Sequence, residues 1–261
     1  MLEKTSFLVD IHAHLDQFDP QEIPSILSRS ESAEIGLIVT AGTTLETSQA
    51  CIQLAHNHPL VYAGIGLHPM DLTGNVNEET WDYLRQLAVT EPKVIVISEV
   101  GLDFGPNRPP QQLQETVFRS EIQMARDLQL PIVFHTRDAT TETLQILHNE
   151  HASDVGGVWH YFTGSANQAK EATDMGFYIS ISPPILHIPQ LQEVVSTLSL
   201  NNLVLESDSF PQTWKRNREN WNEPRIVQVI AQKVADLLKV SLEEVRTITT
   251  NNALKVLNMQ E

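Results

Sequence analysis

Eight short apolar runs rich in Val and Ile recur along the chain, at residues 7–11, 35–40, 60–65, 94–98, 132–135, 157–160, 177–182 and 203–206. Their length and β-branched content suit strands buried on both faces, as in a parallel sheet. Between them lie segments whose apolar residues fall at helical spacing, among them 114–128, Thr140–Asn149 and 225–238. In the last of these, Ile226, Val229, Ile230, Val234 and Leu237 share one face. Strand and helix alternate to the end, which predicts right-handed βαβ units within one domain spanning residues 1–261 rather than two separate domains. Ser241-Leu242-Glu243-Glu244 has the form of a capping box, so a last helix is expected there and a further one near Asn252.

Eight strand–helix units in 261 residues fit a (β/α)8 TIM barrel, for which roughly 250 residues are typical. With 41% hydrophobic and 19% charged residues the chain has the composition of a globular protein that buries its own core. Its single cysteine, Cys51, sits in a helix-like stretch and is expected to pack as a small hydrophobe. The apolar run after Ser6 is too brief for a signal-peptide core, and no run approaches the roughly 18 residues of a membrane span. A cytoplasmic protein without a membrane partner is therefore expected. Seventeen Lys and Arg against 33 Asp and Glu leave a net charge of −16. A surface of that sign repels polyphosphate, which argues against tight, non-specific nucleic-acid binding.

Several of the apolar runs end in histidine or a carboxylate where an ordinary turn is expected. His12 and His14, His68, Glu99, His135, His160 and Asp208 follow one another from position 12 at gaps of 56, 31, 36, 25 and 48 residues. A barrel of about 250 residues advances roughly 31 per unit. The gaps then place these residues at the carboxyl ends of strands 1, 3, 4, 5, 6 and 8, the rim where barrel active sites lie. His12 and His14, two apart on a strand, point to the same side and can grip one ion together. Four imidazoles and two carboxylates (His12, His14, Glu99, His135, His160 and Asp208) form a mixed set suited to Zn, Mn or Fe, with Mg possible if waters complete its shell. Six ligands exceed what one tetrahedral ion uses, so one or two divalent ions are expected, with Glu99 as a catalytic bridging ligand if there are two. Asp208 is placed to take a proton from an ionising water, although Glu206 competes for that role. His68 falls outside this set and is expected to contact substrate or relay a proton. His56, His58, His148 and His151 read as surface residues.

The same residues carry a resemblance, running from Phe7 to Leu257, to the TatD family of metal-dependent hydrolases in the amidohydrolase superfamily. Asp10-Ile11-His12-Ala13-His14-Leu15-Asp16 resembles the family's D-x-H-x-H-L-D, Gly66-Leu67-His68-Pro69 its G-x-H-P, and Glu99-Val100-Gly101-Leu102-Asp103 its E-x-G-L-D. His135-Thr136-Arg137-Asp138-Ala139 is similar to H-x-R-D-A, His160-Tyr161-Phe162-Thr163-Gly164 to H-x-F-T-G, and Leu205-Glu206-Ser207-Asp208-Ser209 to L-E-T-D-S. The resemblance implies a TIM barrel, a metal pair on the ligands named above, and phosphodiester hydrolysis of the deoxyribonuclease type on single-stranded 3′ ends. It also implies that His68 and Arg137 contact the scissile phosphate or its neighbours. The chain departs from the pattern at Ser209-Phe210-Pro211-Gln212, where the family has Pro-Tyr after Asp-Ser, and at Ser98, where a glycine is usual.

Lys215, Arg216, Arg218 and Arg225 concentrate four of the 17 basic residues just after the eighth strand. They either grip phosphates or balance Glu219 and Glu223 in a solvated loop. Trp214 and Trp221 flank them and either stack on bases or cover a core edge. The expected protein is thus a phosphodiesterase acting on a single-stranded DNA 3′ end or a small phosphodiester, as a monomer or weak homo-oligomer. The alternatives are an amide or ester (lactone) hydrolase using the same centre, or a metal-binding barrel without turnover.

Overall fold

All eight apolar runs are strands in the computed structural model, which describes residues 7–260. They are β1 (Leu8–Ala13), β2 (Ile35–Ala41), β3 (Val61–Ile65), β4 (Val94–Asp103), β5 (Ile132–Arg137), β6 (Gly157–Trp159), β7 (Phe177–Ile181) and β8 (Leu203–Leu205). They form one parallel sheet in chain order, each strand paired with the next. Just past its last strand the sheet meets its first. The Asp208 N–H donates to the His12 carbonyl at 3.0 Å and the His14 N–H to the Ser209 carbonyl at 2.8 Å. With its edges joined in this way the sheet is a (β/α)8 barrel.

The helices alternate with the strands: α1 (Ile23–Ser32), α2 (Leu45–Asn57), α3 (Glu78–Thr90), α4 (Gln111–Leu128), α5 (Thr140–Asn149), α6 (Ala166–Asp174), α7 (Pro189–Val195), α8 (Ile226–Leu238) and α9 (Leu242–Val256). Ser241 caps α9 by accepting the Glu244 N–H, as its sequence predicts. The separate helix expected at Asn252 does not form. Asn252 lies inside α9 and its amide donates to the carbonyls of Leu200 and Leu203. A partner some 50 residues away uses the side chain that would otherwise have capped a new helix.

Two apolar clusters divide the core. The larger fills the space between strands and helices. The smaller joins Val9, Ile11, Leu37, Val39, Val133, Val158 and Val204, from strands all around the ring, to Ala253, Val256 and Leu257 of α9. This is the barrel interior, and α9 plugs it from the amino-terminal side. The opposite end is left to polar side chains. Accordingly β4 and β5 run further than their apolar stretches, and Glu99 and His135 lie within strands rather than at their ends. The pairing of β4 with β5 shifts register between Ile97 and Val100, and beyond the shift Gly101, at φ 128°, packs directly against the His135 carbonyl. A side chain at that position would push the two strands apart.

One buried carboxyl supports the rim from outside. Glu121 of α4, 1% exposed, accepts the Leu67 N–H at 2.8 Å in the turn that carries His68. Burial, opposed only by that one hydrogen bond, pushes the Glu121 carboxyl well above its usual value. A raised folded-state pKa stabilises below the unfolded value, and the contribution is lost as pH climbs through the folded one. Glu121→Gln keeps the acceptor and removes the ionisation. The variant is therefore expected to match the parent's melting temperature in acid and to exceed it increasingly as pH rises above the ordinary carboxylate range, read by thermal denaturation across a pH series. A difference independent of pH would remove the argument.

Candidate metal centre

The barrel's carboxyl-terminal rim brings six distant side chains together around Glu99. One of its oxygens, Oε2, lies 3.4 Å from Nε2 of both His12 and His14. The two imidazole nitrogens are 3.3 Å apart. The other oxygen, Oε1, lies 3.3 Å from His135 Nδ1, 3.3 Å from His68 Nε2 and 3.5 Å from His160 Nε2. Asp208 Oδ1 stands 3.5 Å from His14 Nε2. Apart from Asp208 and His135, which reach the cavity, these side chains are almost wholly buried. A carboxylate is thus divided between two histidine groups in a site with little water.

The ring nitrogens that face Glu99 differ in what they can offer. His14 Nδ1 lies 3.1 Å from the Ala41 carbonyl, which can only accept, so the proton of a neutral ring sits there and Nε2 presents a lone pair. Glu206 Oε1 is 3.1 Å from His160 Nδ1, and Asp103 Oδ2 is 3.4 Å from His135 Nε2. Neither contact is a well-aligned hydrogen bond, but each carboxylate attracts the ring proton to its own side. The nitrogens aimed at Glu99 are again left bare. His68 is the reverse case. Its Nδ1 accepts the Met70 N–H at 3.1 Å, so its Nε2 must carry the proton and can only donate. His68 therefore faces Glu99 as a donor, although it lies close enough to Glu99 and His135 to join them about one point.

Distances test whether the bare nitrogens fit an ion. Donors held tetrahedrally at 2.0–2.1 Å from a metal are separated by roughly 3.3–3.4 Å. His12, His14 and Glu99 Oε2 stand at 3.3, 3.4 and 3.4 Å, one face of such a tetrahedron. Around Glu99 Oε1 the convergent pair is His68 and His135, both at 3.3 Å, with His160 at 3.5 Å from the same oxygen. His12, His160 and Asp208 also converge closely enough to share an ion. The donor set therefore fits divalent metal.

Electrostatics agree. Burial opposes charge on His14, yet Glu99, Asp208 and Asp16 outweigh it and pull its pKa up to about 9. Burial likewise opposes charge on His160, which Glu206, Glu99 and Asp208 raise to about 10. Burial and the neighbouring His160 push His12 down. Glu99 is held well below the usual carboxylate range, because His68, His160 and His12 overcome its desolvation. The site attracts positive charge, and without an ion it takes protons.

A second ring of carboxylates surrounds the histidines, of which only Glu206 has a role expected from the sequence. Asp10, fully buried, accepts from the Ser207 N–H at 2.8 Å and the Ser207 hydroxyl at 2.6 Å, tying β1 to the segment that carries Asp208. Glu206 accepts the Tyr161 N–H at 2.7 Å and the Ser180 hydroxyl at 2.6 Å. Its lone pairs are occupied and it is turned away from the cavity, so it orients His160 and leaves the position facing the cavity to Asp208. Asp103 sits between His135, Arg108 and, at 3.7 Å, Arg137. Each of the three lies in a motif noted above, but its partner is a residue far along the chain.

A model of the TatD-related DNase family matches residues 9–258. The chain belongs to that family. It is 35% identical over 253 residues to an uncharacterized metal-dependent hydrolase of Bacillus subtilis, YabD, covering 95% of this chain and 98% of the relative. It is 30% identical to the human deoxyribonuclease TATDN3, covering 95% and 94%. The crystal structure of YJJV, a TatD homolog from Escherichia coli, has a TM-score of 0.87 at 25% identity and covers 97% of this chain and 98% of its own. Against the TatD pattern, the changes at Ser98 and Phe210 leave every donor around Glu99 in place.

A cavity of about 460 Å³ opens over the centre, lined by His14, His68, Glu99, His135, Arg137 and Asp208, with Tyr161, Phe210 and Trp214 at its rim. Arg137, its side chain 54% exposed, is on hand for an anion at this opening. Two of the four basic residues after β8 are paired with carboxylates, while Lys215 and Arg216 are not in any ion pair found among the described residues. Arg218 pairs with Glu22 and Glu223, Arg225 pairs with Glu223, and Lys215 donates to the Asn220 carbonyl. Arg29 adds a two-pronged contact with the same Glu223. Trp221 packs on Phe18 and under Arg218, which makes it the edge of the core. Cys51 is buried and free, as expected.

Proposed function

We propose that the protein is a metal-dependent phosphodiesterase of the deoxyribonuclease type, removing nucleotides from a single-stranded DNA 3′ end or splitting a small phosphodiester. The observation that carries this is the Glu99 carboxylate, its two oxygens turned to two groups of histidines at the floor of one cavity. In this reading His12, His14 and Glu99 would hold one divalent ion, and His135, His160 and Asp208, on the other side of the Glu99 carboxylate, would supply ligands to a second. Such ions, when bound, polarise a phosphoryl oxygen and lower the pKa of a water to near neutrality. The high imidazole content favours Zn or Mn over Mg.

The chain's own groups supply the rest. Arg137 presents its guanidinium to the phosphate and the His68 Nε2–H donates to an oxygen of the substrate. Asp208 accepts the proton of the attacking water, whose oxygen forms the new bond to phosphorus as the bond to the leaving oxygen breaks. Glu206, Asp103 and the Ala41 carbonyl keep three imidazoles in the tautomer that faces inward. Among the described residues no helix is long and apolar enough to cross a membrane, and we place the enzyme in the cytoplasm.

A small-ester or lactone hydrolase is the second reading, favoured by the net charge of −16 and by arginines already tied to Glu22 and Glu223. The two separate on a labelled single-stranded oligonucleotide assayed with added Zn²⁺ or Mn²⁺. Stepwise shortening from the 3′ end, abolished by a chelator and weakened by salt, is the expected result. An intact oligonucleotide beside rapid turnover of lactones or aryl esters would establish the rival.

A further inference from the structure

Six large apolar side chains among the described residues stand open to solvent: Met70, Val89, Tyr161, Ile188, Trp214 and Val229. Three of them, Met70, Tyr161 and Trp214, line the one cavity that holds the metal centre. Trp214 is the extreme case at 68% exposed. Its ring leans on Phe210, with centroids 5.7 Å apart and planes inclined at 49°. An exposed indole that shields no core is costly to keep in water and marks a surface that meets an apolar or aromatic partner. Trp221, seven positions on, is the contrast, since it packs between Phe18 and Arg218.

The loop that carries Trp214 is pinned. Gln212 accepts the Asn222 N–H through its side chain at 2.9 Å and the Lys215 N–H through its carbonyl at 2.8 Å. Lys215 Nζ in turn reaches the Asn220 carbonyl at 2.8 Å. The indole is therefore presented on a fixed support and loses little freedom on binding a flat ligand. Arg218 and Arg225, the arginines just past this loop, are tied to Glu22 and Glu223, and the sequence as a whole is acidic. Arg137 is the cation lining this cavity, and beside it the rim offers faces of rings.

We propose that Trp214, backed by Phe210, is a base-stacking platform beside the reacting phosphate, so that the substrate is a phosphodiester bearing an unpaired nucleobase recognised by its π-face. This rests on the phosphodiesterase reading. Recognition by stacking tolerates any base, because every base has a π-face, and it excludes a base held in a duplex.

The test compares two single-stranded oligonucleotides, identical except that the 3′-terminal nucleotides carry bases in one and abasic tetrahydrofuran residues in the other. The wild type is expected to cleave the base-bearing strand with the higher kcat/KM. In Trp214→Ala that preference should shrink by roughly tenfold or more, and Trp214→Phe should keep most of it. A second readout is independent of turnover: the base-bearing strand should quench the tryptophan fluorescence of the wild type more than the abasic one, with the difference lost in Trp214→Phe. An unchanged preference and an unchanged quench in Trp214→Ala would overturn the platform. Wild-type protein that cleaves neither strand would overturn the phosphodiesterase reading itself, whereas cleavage of both without preference would overturn only the stacking.

Discussion

Glu99→Gln is expected to lower turnover by at least about 10³-fold and to leave the purified protein with less metal than the parent, at unchanged secondary structure. The amide has the shape of the carboxylate but neither its charge nor two equivalent acceptor oxygens. Glu99 alone touches both histidine groups, with Oε2 on His12 and His14 and Oε1 on His135 and His160. On the proposed two-ion reading, its substitution would take a ligand from each ion at once. An ion's charge stabilisation of a phosphoryl transition state is worth several kcal/mol, which corresponds to the thousandfold figure. The fold is expected to survive, because the imidazoles around Glu99 lose their protons when its charge goes and then carry no unpaired charge. Metal content by plasma mass spectrometry, circular dichroism and a turnover assay together check the prediction. A variant that retains its full metal complement and near-normal turnover would show that Glu99 bridges nothing.

Much of this was legible from the amino acids. The barrel followed from eight Val- and Ile-rich runs alternating with amphipathic segments, since strands buried on both faces leave an unbroken apolar signature. The donors around Glu99 followed from polar residues interrupting that signature at intervals of about one or two barrel units. What stayed hidden depended on contacts between distant parts of the chain. The neutralisation of Arg218 by Glu22, 196 positions away, is invisible in a local count of charges. So is the bond between Asp10 and Ser207, 197 positions apart, which seats β1 against the segment bearing Asp208. Tyr161 and Ser180 engage Glu206 in hydrogen bonds while Asp208 lines the cavity, a difference that their two-residue spacing does not reveal. The donor role of His68 needed one backbone N–H, that of Met70, whose direction no spacing reveals.

Asp208→Asn is expected to separate binding from chemistry. Asp208 adopts φ 44°, in the left-handed region that asparagine tolerates almost as well as aspartate, so the backbone is retained. Its N–H bond to the His12 carbonyl, part of the closure of the barrel, belongs to the main chain and is untouched. The side chain, 15% exposed at the cavity floor, loses its ability to take a proton and its pull on His14 and His160. With His12, His14 and Glu99 intact on one side and His135 and His160 on the other, metal content should stay close to that of the parent. Removing a general base typically costs about 10²- to 10⁴-fold in rate. The loss should appear in kcat, with KM nearly constant, because the phosphate contacts proposed for Arg137 and His68 are left in place. Full activity in the variant would take the base role from Asp208. A parallel collapse of metal content and kcat would instead make Asp208 chiefly a ligand, and the proton acceptor would then have to be sought in another group lining the same cavity.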